Sequence, residues 1–332
     1  MCIQARRRSA RAAALIALGL CLGLTAAART ADAQGYPNRP VRIVVPAAAG
    51  GALDIIARLM AQKIGENWKQ QLYVDNRPGA NWIIGMDAVA KSPPDGYTLL
   101  VVASSGLTVN PYVFANMPLD PLADLTPIIV TTRTAFGLLL NPSVPARTVP
   151  EFIAYLRAHP GKLNHASNSA TTMLASELFK TRANVDYVDV NFRGASQAVV
   201  ATQSGTTQFC FVDLGTASAA IEGKTLLPLA VTSPTRYELA PDIPTLAEQG
   251  LPGYSVSSMT LLLAPANTPA DLLDKLNVAA QQALESPDVS GKLRAISQAV
   301  AGGTRAQAVE EVRAEAQQWK QLISERNIQL AR

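Results

Sequence analysis

The side chains that most often carry out chemistry are few in this sequence. After position 33 it contains two histidines, His159 and His165, and a single cysteine, Cys210. A transition-metal site needs several clustered His, Cys or carboxylate ligands, and a hydrolase needs a nucleophile beside a base. The sequence has no Gly-x-Ser-x-Gly elbow, no Walker loop and no recognisable carboxylate pair. We therefore expect no enzyme, such as an exported hydrolase, and neither a metal site nor a cofactor.

These three side chains are better interpreted as structural. Cys210 lies in the apolar run 208–212, a predicted buried strand, so a packed core thiol is favoured over a nucleophile. His159 precedes Pro160 at a predicted helix end and reads as a solvated terminal residue. His165 stands next to a polar loop, where contact with a ligand stays open, although a structural role is favoured.

Small and hydroxyl-bearing side chains are instead abundant, and they follow several predicted strands. The run Pro46–Gly51 contains one proline, three alanines and two glycines, and it separates the strand pattern Val41–Val45 from a helix pattern. Backbone N–H groups at the start of a helix bind anions without any cationic side chain, and glycine lets a ligand come close. Such loops indicate a protein that holds a ligand, with little sign of a reaction.

The elements that must position these loops alternate between strand and helix patterns. Predicted strands cover 41–45, 99–102, 127–130, 136–140, 163–166, 185–190, 208–212, 226–232 and 257–264. Predicted helices cover 54–65, 149–158 with Thr148 as N-cap, 173–180, 195–204, 268–286 and 304–325. Alternation of this kind predicts α/β lobes with largely parallel sheets, which bind ligands beyond the carboxyl ends of their strands.

The N-terminal segment 1–33 has the pattern of a secretory signal peptide. An arginine-rich head (6–11) precedes an apolar run (12–27), and Ala31 to Ala33 supplies the small side chains of a cleavage site. We expect cleavage near Ala33 and export. A membrane anchor is the alternative, and it is disfavoured because the apolar run is short for a span of about 20 residues.

The basic charge of the chain belongs to this export segment. Segment 1–33 holds five of the 29 Lys and Arg and one of the 25 Asp and Glu, which leaves 24 of each. A net charge near zero gives no reason to expect nucleic acid or an acidic membrane surface as a partner. With Cys210 alone, no internal disulfide can form, so the fold must rest on its core.

A series of short motifs, spread in order over the chain after position 33, resembles one known family. They are YPNRPVRIVVP (36–46), GG (50–51) with Asp54 and Ala57-Arg58, VDNRPGA (74–80), PDGYTL (94–99), NP (110–111), PGKLN (160–164), LAVTS (229–233), PDIPTLAE (241–248), GLPGY (250–254) and LAPA (263–266). The chain resembles the periplasmic solute-binding proteins of the tripartite tricarboxylate transporter system, the Bug family.

The resemblance implies a fold, a ligand class and partners. The fold is α/β and periplasmic binding protein type II-like, with two α/β lobes of mixed, largely parallel sheets around a central ligand cleft. Domain 1 would comprise 34–140 and 255–332, and domain 2 would comprise 141–254. The ligand would be a small organic carboxylate, captured by hinge closure in the periplasm. The implied partner is a membrane permease, some relatives serve sensor domains, and we expect a monomer.

The resemblance also places the expected site on the loops described above. In the first lobe these are Ala47, Ala48, Ala49, Gly50, Gly51 and Ala52, followed by Ser104, Ser105 and Thr108. In the second lobe they are Ser167, Asn168, Ser169, Thr171 and Thr172, then Phe192, Arg193 and Gly194, and finally Asp213. Asp54 is interpreted as capping the first helix. Some hydroxyls of the 167–172 run could cap their helix instead of binding ligand. Arg193 is equally a ligand partner or solvated, and Asp213 is equally a ligand acceptor or a hinge support.

Two departures from the family pattern point to an unusual ligand. Relatives commonly show Pro-Gly-Gly-Ser-Thr-Asp at the first loop, whereas this chain has Ala49-Gly50-Gly51-Ala52-Leu53-Asp54. The family's Gly-Ala-Gly-Gly-Asn-Ile-Gly becomes Gly-Ala-Asn-Trp-Ile-Ile-Gly at 79–85. These changes remove polar reach and add bulk. We therefore expect a carboxylate with a more apolar or aromatic body than citrate.

Overall fold

The computed structural model describes residues 35–114, 116–192 and 194–326. The predicted signal peptide and Arg193 lie outside these ranges. The described chain is an α/β fold with a mixed sheet, so the predicted fold class is confirmed. No helix among the described residues is long and apolar enough to span a membrane.

The described elements follow one another along the chain in the following order. The strands are β1 (Val41–Val45), β2 (Leu72–Asn76), β3 (Thr98–Ala103), β4 (Leu125–Leu140), β5 (Asn164–Ser167), β6 (Val188–Asn191), β7 (Phe209–Asp213), β8 (Leu227–Val231), β9 (Ser257–Pro265) and β10 (Ala299–Val300). The helices are α1 (Ala52–Trp68), α2 (Ile83–Ala90), α3 (Ser105–Thr108), α4 (Asn110–Val113), α5 (Pro121–Asp124), α6 (Val149–Ala158), α7 (Ala170–Ala183), α8 (Ala195–Gln203), α9 (Leu214–Glu222), α10 (Ala270–Glu285), α11 (Pro287–Ala295) and α12 (Arg305–Arg326). A 3-10 turn, Ala80–Trp82, precedes α2.

The strands form two lobes that share the long strand β4. The order across the sheet is β2-β1-β3-β9-β4-β7-β5-β6, and both β8 and β10 also pair with β4. Residues 125–135 of β4 pair with β9, whereas residues 136–140 pair with β7 and β8. Parallel pairs lie toward both edges, and antiparallel pairs surround β4 and β9 in the middle. The predicted domain limits at 140 and 254 stay a prediction.

Several element predictions were incomplete. The segments 127–130 and 136–140 were expected as two strands, but they belong to the single strand β4. The threonines between them are β-branched and continue the extended backbone along β9. Strand β2 and helices α2, α9 and α11 were not predicted. In contrast, α6 has the predicted bounds, and Thr148 accepts a hydrogen bond from the Glu151 N–H, as an N-cap does.

The last helix, α12, joins the hydrophobic cores of the two lobes. Ala308 and Val312, near its start, pack in a first-lobe core with residues of β3 and β9. Trp319, Leu322 and Ile323, near its end, pack in the second-lobe core with residues of α6 and α7. The two lobes are therefore connected by β4, by the chain that enters β9 after Val256 in the second-lobe core, and by a helix whose apolar face changes core partway along.

Candidate functional site

A cavity of about 900 Å³ lies between the lobes, where the carboxyl ends of strands meet helix N-termini. The first lobe lines it with Ala52, Leu53, Asn81, Trp82, Ala103, Ser105, Asn110, Phe114, Thr134, Ser258, Thr260 and Gln298. The second lobe lines it with Phe136, Asn168, Ser169, Ala170, Thr171, Met173, Asn191, Phe192, Asp213 and Thr216. This volume suits a small organic molecule, and we call the cavity the cleft.

Seven of the residues expected to contact ligand line the cleft. They are Ala52, Ser105, Asn168, Ser169, Thr171, Phe192 and Asp213. The lining does not include Ala47, Ala48, Ala49, Gly50, Gly51, Ser104, Ser167, Thr172, Thr108 or Gly194. Arg193 lies outside the described residues. Most of the predicted loops thus reach the cleft, but many of their residues do not line it, and contact with ligand stays a prediction.

The N-terminus of α1 opens toward the cleft without a side-chain cap. Gly51 occupies the N-cap position with an extended backbone (φ −81°, ψ 170°) and has no side chain to accept a hydrogen bond. The first intrahelical bond runs from the Ile55 N–H to the Gly51 carbonyl at 3.0 Å. The N–H groups of Ala52 and Leu53 therefore have no acceptor within the helix, and both residues line the cleft. These donors and the helix dipole favour a carboxylate at this point.

Asp54 holds the loop that leads into α1. One carboxylate oxygen, Oδ2, accepts from the Gly50 N–H and from Arg58 Nε, both at 2.9 Å. The other, Oδ1, accepts from Asn76 Nδ2 at 3.0 Å, and the same amide donates to the Ala47 carbonyl at 3.1 Å. Asp54 is 3% exposed. Its role is therefore to fasten the loop at both ends, and it uses the Gly50 N–H that was expected to be free for ligand.

This network makes Asp54 a source of acid sensitivity. The hydrogen bond from Arg58 is the largest cause that lowers its pKa to about 2, with burial opposing and Gly50 and Asn76 adding to the effect. Because the folded-state pKa lies below the unfolded one, the stabilisation is complete above about pH 5 and is lost as the pH falls toward 2. Between pH 5 and pH 2.5, we expect the wild type to lose roughly 2 kcal/mol more of its free energy of unfolding than Asp54→Asn loses. Urea unfolding series at the two pH values measure this difference.

A matched control is available for that measurement. Asp271 is an exposed acid in the first turn of α10, and Asp271→Asn makes the same chemical change at an exposed first-turn carboxylate. If both variants lost the same stability between pH 5 and pH 2.5 as the wild type, Asp54 would not hold the loop as an ionised group.

On the opposite lobe, the hydroxyl run is divided between the helix and the cleft. Ser169 is the N-cap of α7: its Oγ accepts from the Thr172 N–H at 3.2 Å, and Thr172 Oγ1 accepts from the Ser169 N–H at 3.1 Å. Thr172 is fully buried in this capping box. Asn168 and Thr171 remain as polar lining residues. The alternative raised from the sequence, that part of the run caps the helix, is therefore correct.

Ser104 and Thr108 do not line the cleft, contrary to expectation. Ser104 Oγ donates to Glu315 Oε1 on α12 at 3.2 Å, and Thr108 Oγ1 donates to the Ser104 carbonyl at 3.0 Å. Burial, the main cause, raises the pKa of Glu315 to about 7, although Ser104, Trp319 and Thr108 beside it oppose the shift. Both hydroxyls form their hydrogen bonds beside the buried carboxyl of Glu315, where α12 passes between the lobes. This packing turns them away from the cleft.

Ser167 and His165 belong to a polar cluster beneath the second lobe's loops. His165 is fully buried; its Nε2 accepts from the Phe211 N–H at 3.1 Å, which leaves Nδ1 to donate to Asp189 at 2.9 Å. Burial raises the pKa of Asp189, but the hydrogen bond from His165 and the nearby hydroxyls of Ser167 and Ser176 outweigh it and lower the pKa overall. The structural role favoured for His165 fits these contacts.

Asp213 is the one charged residue among the described residues that line the cleft. It caps α9, because its Oδ1 accepts from the Thr216 N–H at 2.8 Å and from the Thr216 hydroxyl at 2.8 Å. Its half-buried carboxylate still lines the cavity. Capping is a third role beside the two considered from the sequence, and it fixes the direction of the acid.

Fifteen of the described lining residues were missed from the sequence, seven of them apolar and eight polar. Trp82 and Phe114 come from the first lobe, and Phe136, Phe192 and Met173 come from the second, with Phe192 the only one predicted. The unusual run 79–85 was the one available signal for Trp82. Phe136 and the polar group Thr134, Ser258, Thr260 and Gln298 lie on or beside the shared strands, whose inward face the sequence did not reveal.

The fold and this cleft define a two-lobed solute-binding protein. The family described as "Tripartite tricarboxylate transporter family receptor" matches residues 56–328, and the chain belongs to this family. The resemblance drawn from the sequence motifs is thereby confirmed. The family is one of periplasmic binding receptors, not of enzymes.

Individual relatives give the same result. A UPF0065 protein from the tcbD-tcbE intergenic region of Pseudomonas sp. (strain P51) is 35% identical over 92% of this chain and 92% of its own length. A solved R. palustris protein with adipate is 32% identical, with a TM-score of 0.74 over 87% of this chain and 97% of that one. MatC from Rhodopseudomonas palustris, with bound malate, is 28% identical, with a TM-score of 0.71 over 87% and 100%.

Proposed function

We propose that this protein captures a small organic carboxylate in the cleft by closure of its lobes. The observation that carries the proposal is the uncapped N-terminus of α1, whose Ala52 and Leu53 N–H groups have no helical acceptor and belong to residues that line the cavity. Ser105 adds a hydroxyl from the same lobe. The adipate and malate of two solved relatives support an acid as ligand.

The way the lobes are joined supports closure. The cleft is lined from both sides, and β4 runs from one lobe into the other without a long linker. A ligand that contacts both lobes binds the closed form more tightly and so shifts the equilibrium toward it. Exclusion of water on closure strengthens hydrogen bonds to the carboxylate.

Acids and their neutral amides provide the direct test. Thermal melts of the purified protein would be recorded with mono-, di- and tricarboxylates and, for each, the corresponding amide. We expect at least one acid to raise the melting temperature and its amide to have no effect, because the site favours negative charge. Equal stabilisation by acid and amide, or by no acid at all, would count against carboxylate capture.

We further propose that the protein is exported through its predicted signal peptide and delivers its ligand to a permease of the tripartite tricarboxylate type. The family supports this partner. Delivery to a periplasmic sensor domain is the alternative, which the same fold would serve. Ligand uptake would be measured in cells that lack the permease and in cells that lack this protein. Delivery to the permease predicts that either deletion abolishes uptake, whereas deletion of a purely sensory protein leaves uptake unchanged.

A further inference from the structure

The 3-10 turn before α2 holds three consecutive non-glycine residues in the left-handed region. Ala80, Asn81 and Trp82 have φ values of 45°, 49° and 74°. This region costs a residue with a side chain about 1 kcal/mol or more, and single residues normally adopt it, not runs. The chain therefore maintains an unfavourable backbone in order to place these side chains at the cleft.

Neighbouring contacts hold the turn and its indole in place. Asn110, a buried residue, donates from Nδ2 to the Asn81 carbonyl at 2.8 Å. The Trp82 ring lies over Gly106, where an added Cβ would come within 3.3 Å of Trp82 Cε3. Both Trp82 and Asn110 line the cleft. A bulky ring fixed on a strained turn is a feature of ligand recognition more than of general stability.

Aromatic rings from the two lobes line the same cavity. Trp82 and Phe114 belong to the first lobe, and Phe136 and Phe192 belong to the second. Rings of this kind bind a flat or apolar body through burial and through edge-to-face or offset contacts. Closure brings the two sets of rings toward each other, so the part of the cleft between them suits an aromatic or aliphatic body.

The negative charge on the second lobe limits which group the ligand can carry at the end opposite its first carboxylate. Asp213 is the single charged residue among the described lining residues, and it is negative. Its carboxylate is held by Thr216, so it cannot turn away without uncapping α9. A ligand whose first carboxylate sits at α1 in the opposite lobe would bring a second carboxylate toward Asp213. Like charges in a closing, partly desolvated cleft repel one another.

From these contacts we infer that the cleft selects a monocarboxylate with an aromatic or apolar body, and that Trp82 and Asp213 are the residues that set this choice. The inference rests on the proposed carboxylate capture and specifies its ligand class. The acid binds at the N-terminus of α1, the body packs on Trp82, and the end near Asp213 is neutral or a hydrogen-bond donor. Asp213 discriminates against dicarboxylates by repulsion.

Calorimetric titration with three acids tests the inference: 3-phenylpropionate, hexanoate, and adipate as the dicarboxylate of the same carbon number as hexanoate. We expect affinity to fall in that order, with adipate at least about tenfold weaker than hexanoate. Asp213→Asn should narrow the ratio of hexanoate to adipate affinity by about tenfold, with α9 still capped because asparagine caps helices as well as aspartate does.

Trp82 variants separate ring contact from general damage. Trp82→Gly should weaken 3-phenylpropionate by about tenfold or more, and Trp82→Phe should restore most of that loss. Trp68 packs against Tyr36 and does not line the cleft, so Trp68→Phe should bind like the wild type. If Trp82→Gly bound 3-phenylpropionate as tightly as the wild type, the assignment of Trp82 would be overturned.

The same titrations distinguish this inference from the proposed carboxylate capture on which it rests. Adipate binding as tightly as hexanoate, or a di- or tricarboxylate stabilising the protein when neither monocarboxylate binds, would overturn the inference and leave carboxylate capture standing. Failure of every acid in the melting panel would contradict both.

Discussion

Ala52→Pro should weaken binding of the carboxylate by about 10- to 100-fold without destabilising the fold. Ala52 is the first residue of α1. Proline fits this position well because its fixed φ suits a helix start, and Gly51 before it already has the extended backbone that a following proline requires. The substitution removes one N–H donor from the cleft. A hydrogen bond to a charged group contributes about 1.5–3 kcal/mol, which gives the expected loss.

The chain contains a closely matched control for this variant. Ala270 is the first residue of α10, exposed and outside the cleft. Ala270→Pro makes the same chemical change at the same helical position, so it should keep both affinity and melting temperature. Calorimetry on the two variants, with thermal melts beside it, separates the lost donor from general effects of proline. Normal affinity in Ala52→Pro would place the carboxylate elsewhere.

Trp319→Ala should produce the largest loss of stability of any single change considered for this fold. Trp319 is 1% exposed and is the largest fully buried side chain among the described residues. It lies in the second-lobe core on the helix that begins in the first-lobe core. Truncation of a buried tryptophan leaves a cavity and costs about 3–5 kcal/mol. We expect the midpoint of urea unfolding to fall accordingly.

Trp68→Ala serves as the comparison, because Trp68 is only partly buried and packs within one lobe. We expect it to lose less than about 2 kcal/mol. Comparable losses of unfolding free energy in the two variants would show that the connection of the two cores by α12 adds little to stability. If Trp319→Ala also unfolded in two separate steps, one for each lobe, the helix would be the element that makes them cooperative.

The elements of this fold could be predicted from the sequence where a pattern is local. Alternating strands and helices, the Thr148 cap and the loops after strands β1, β3, β5, β6 and β7 all follow from propensities and periods of a few residues. The shared role of β4 did not, because its pairing partners β7, β8 and β9 lie far along the chain. Tertiary pairing decided that both segments form one strand.

The candidate site could likewise be predicted only in part. The positions of the loops could be predicted, but not which way each side chain points. Ser105 and Ser104 are adjacent and chemically identical, yet one lines the cleft and the other bonds Glu315. The difference depends on α12, which lies near the opposite end of the chain from these serines. Trp82 was noticed only as a departure from a motif, since its backbone conformation is invisible in sequence.

A crystal structure of the protein with 3-phenylpropionate bound would show directly where the carboxylate binds. We expect the carboxylate within about 3 Å of the Ala52 and Leu53 N–H groups, as for a charge-assisted hydrogen bond, with the phenyl ring against Trp82 and the lobes closed over it. A carboxylate bound at any other part of the cleft, with the α1 N-terminus left to solvent, would contradict it.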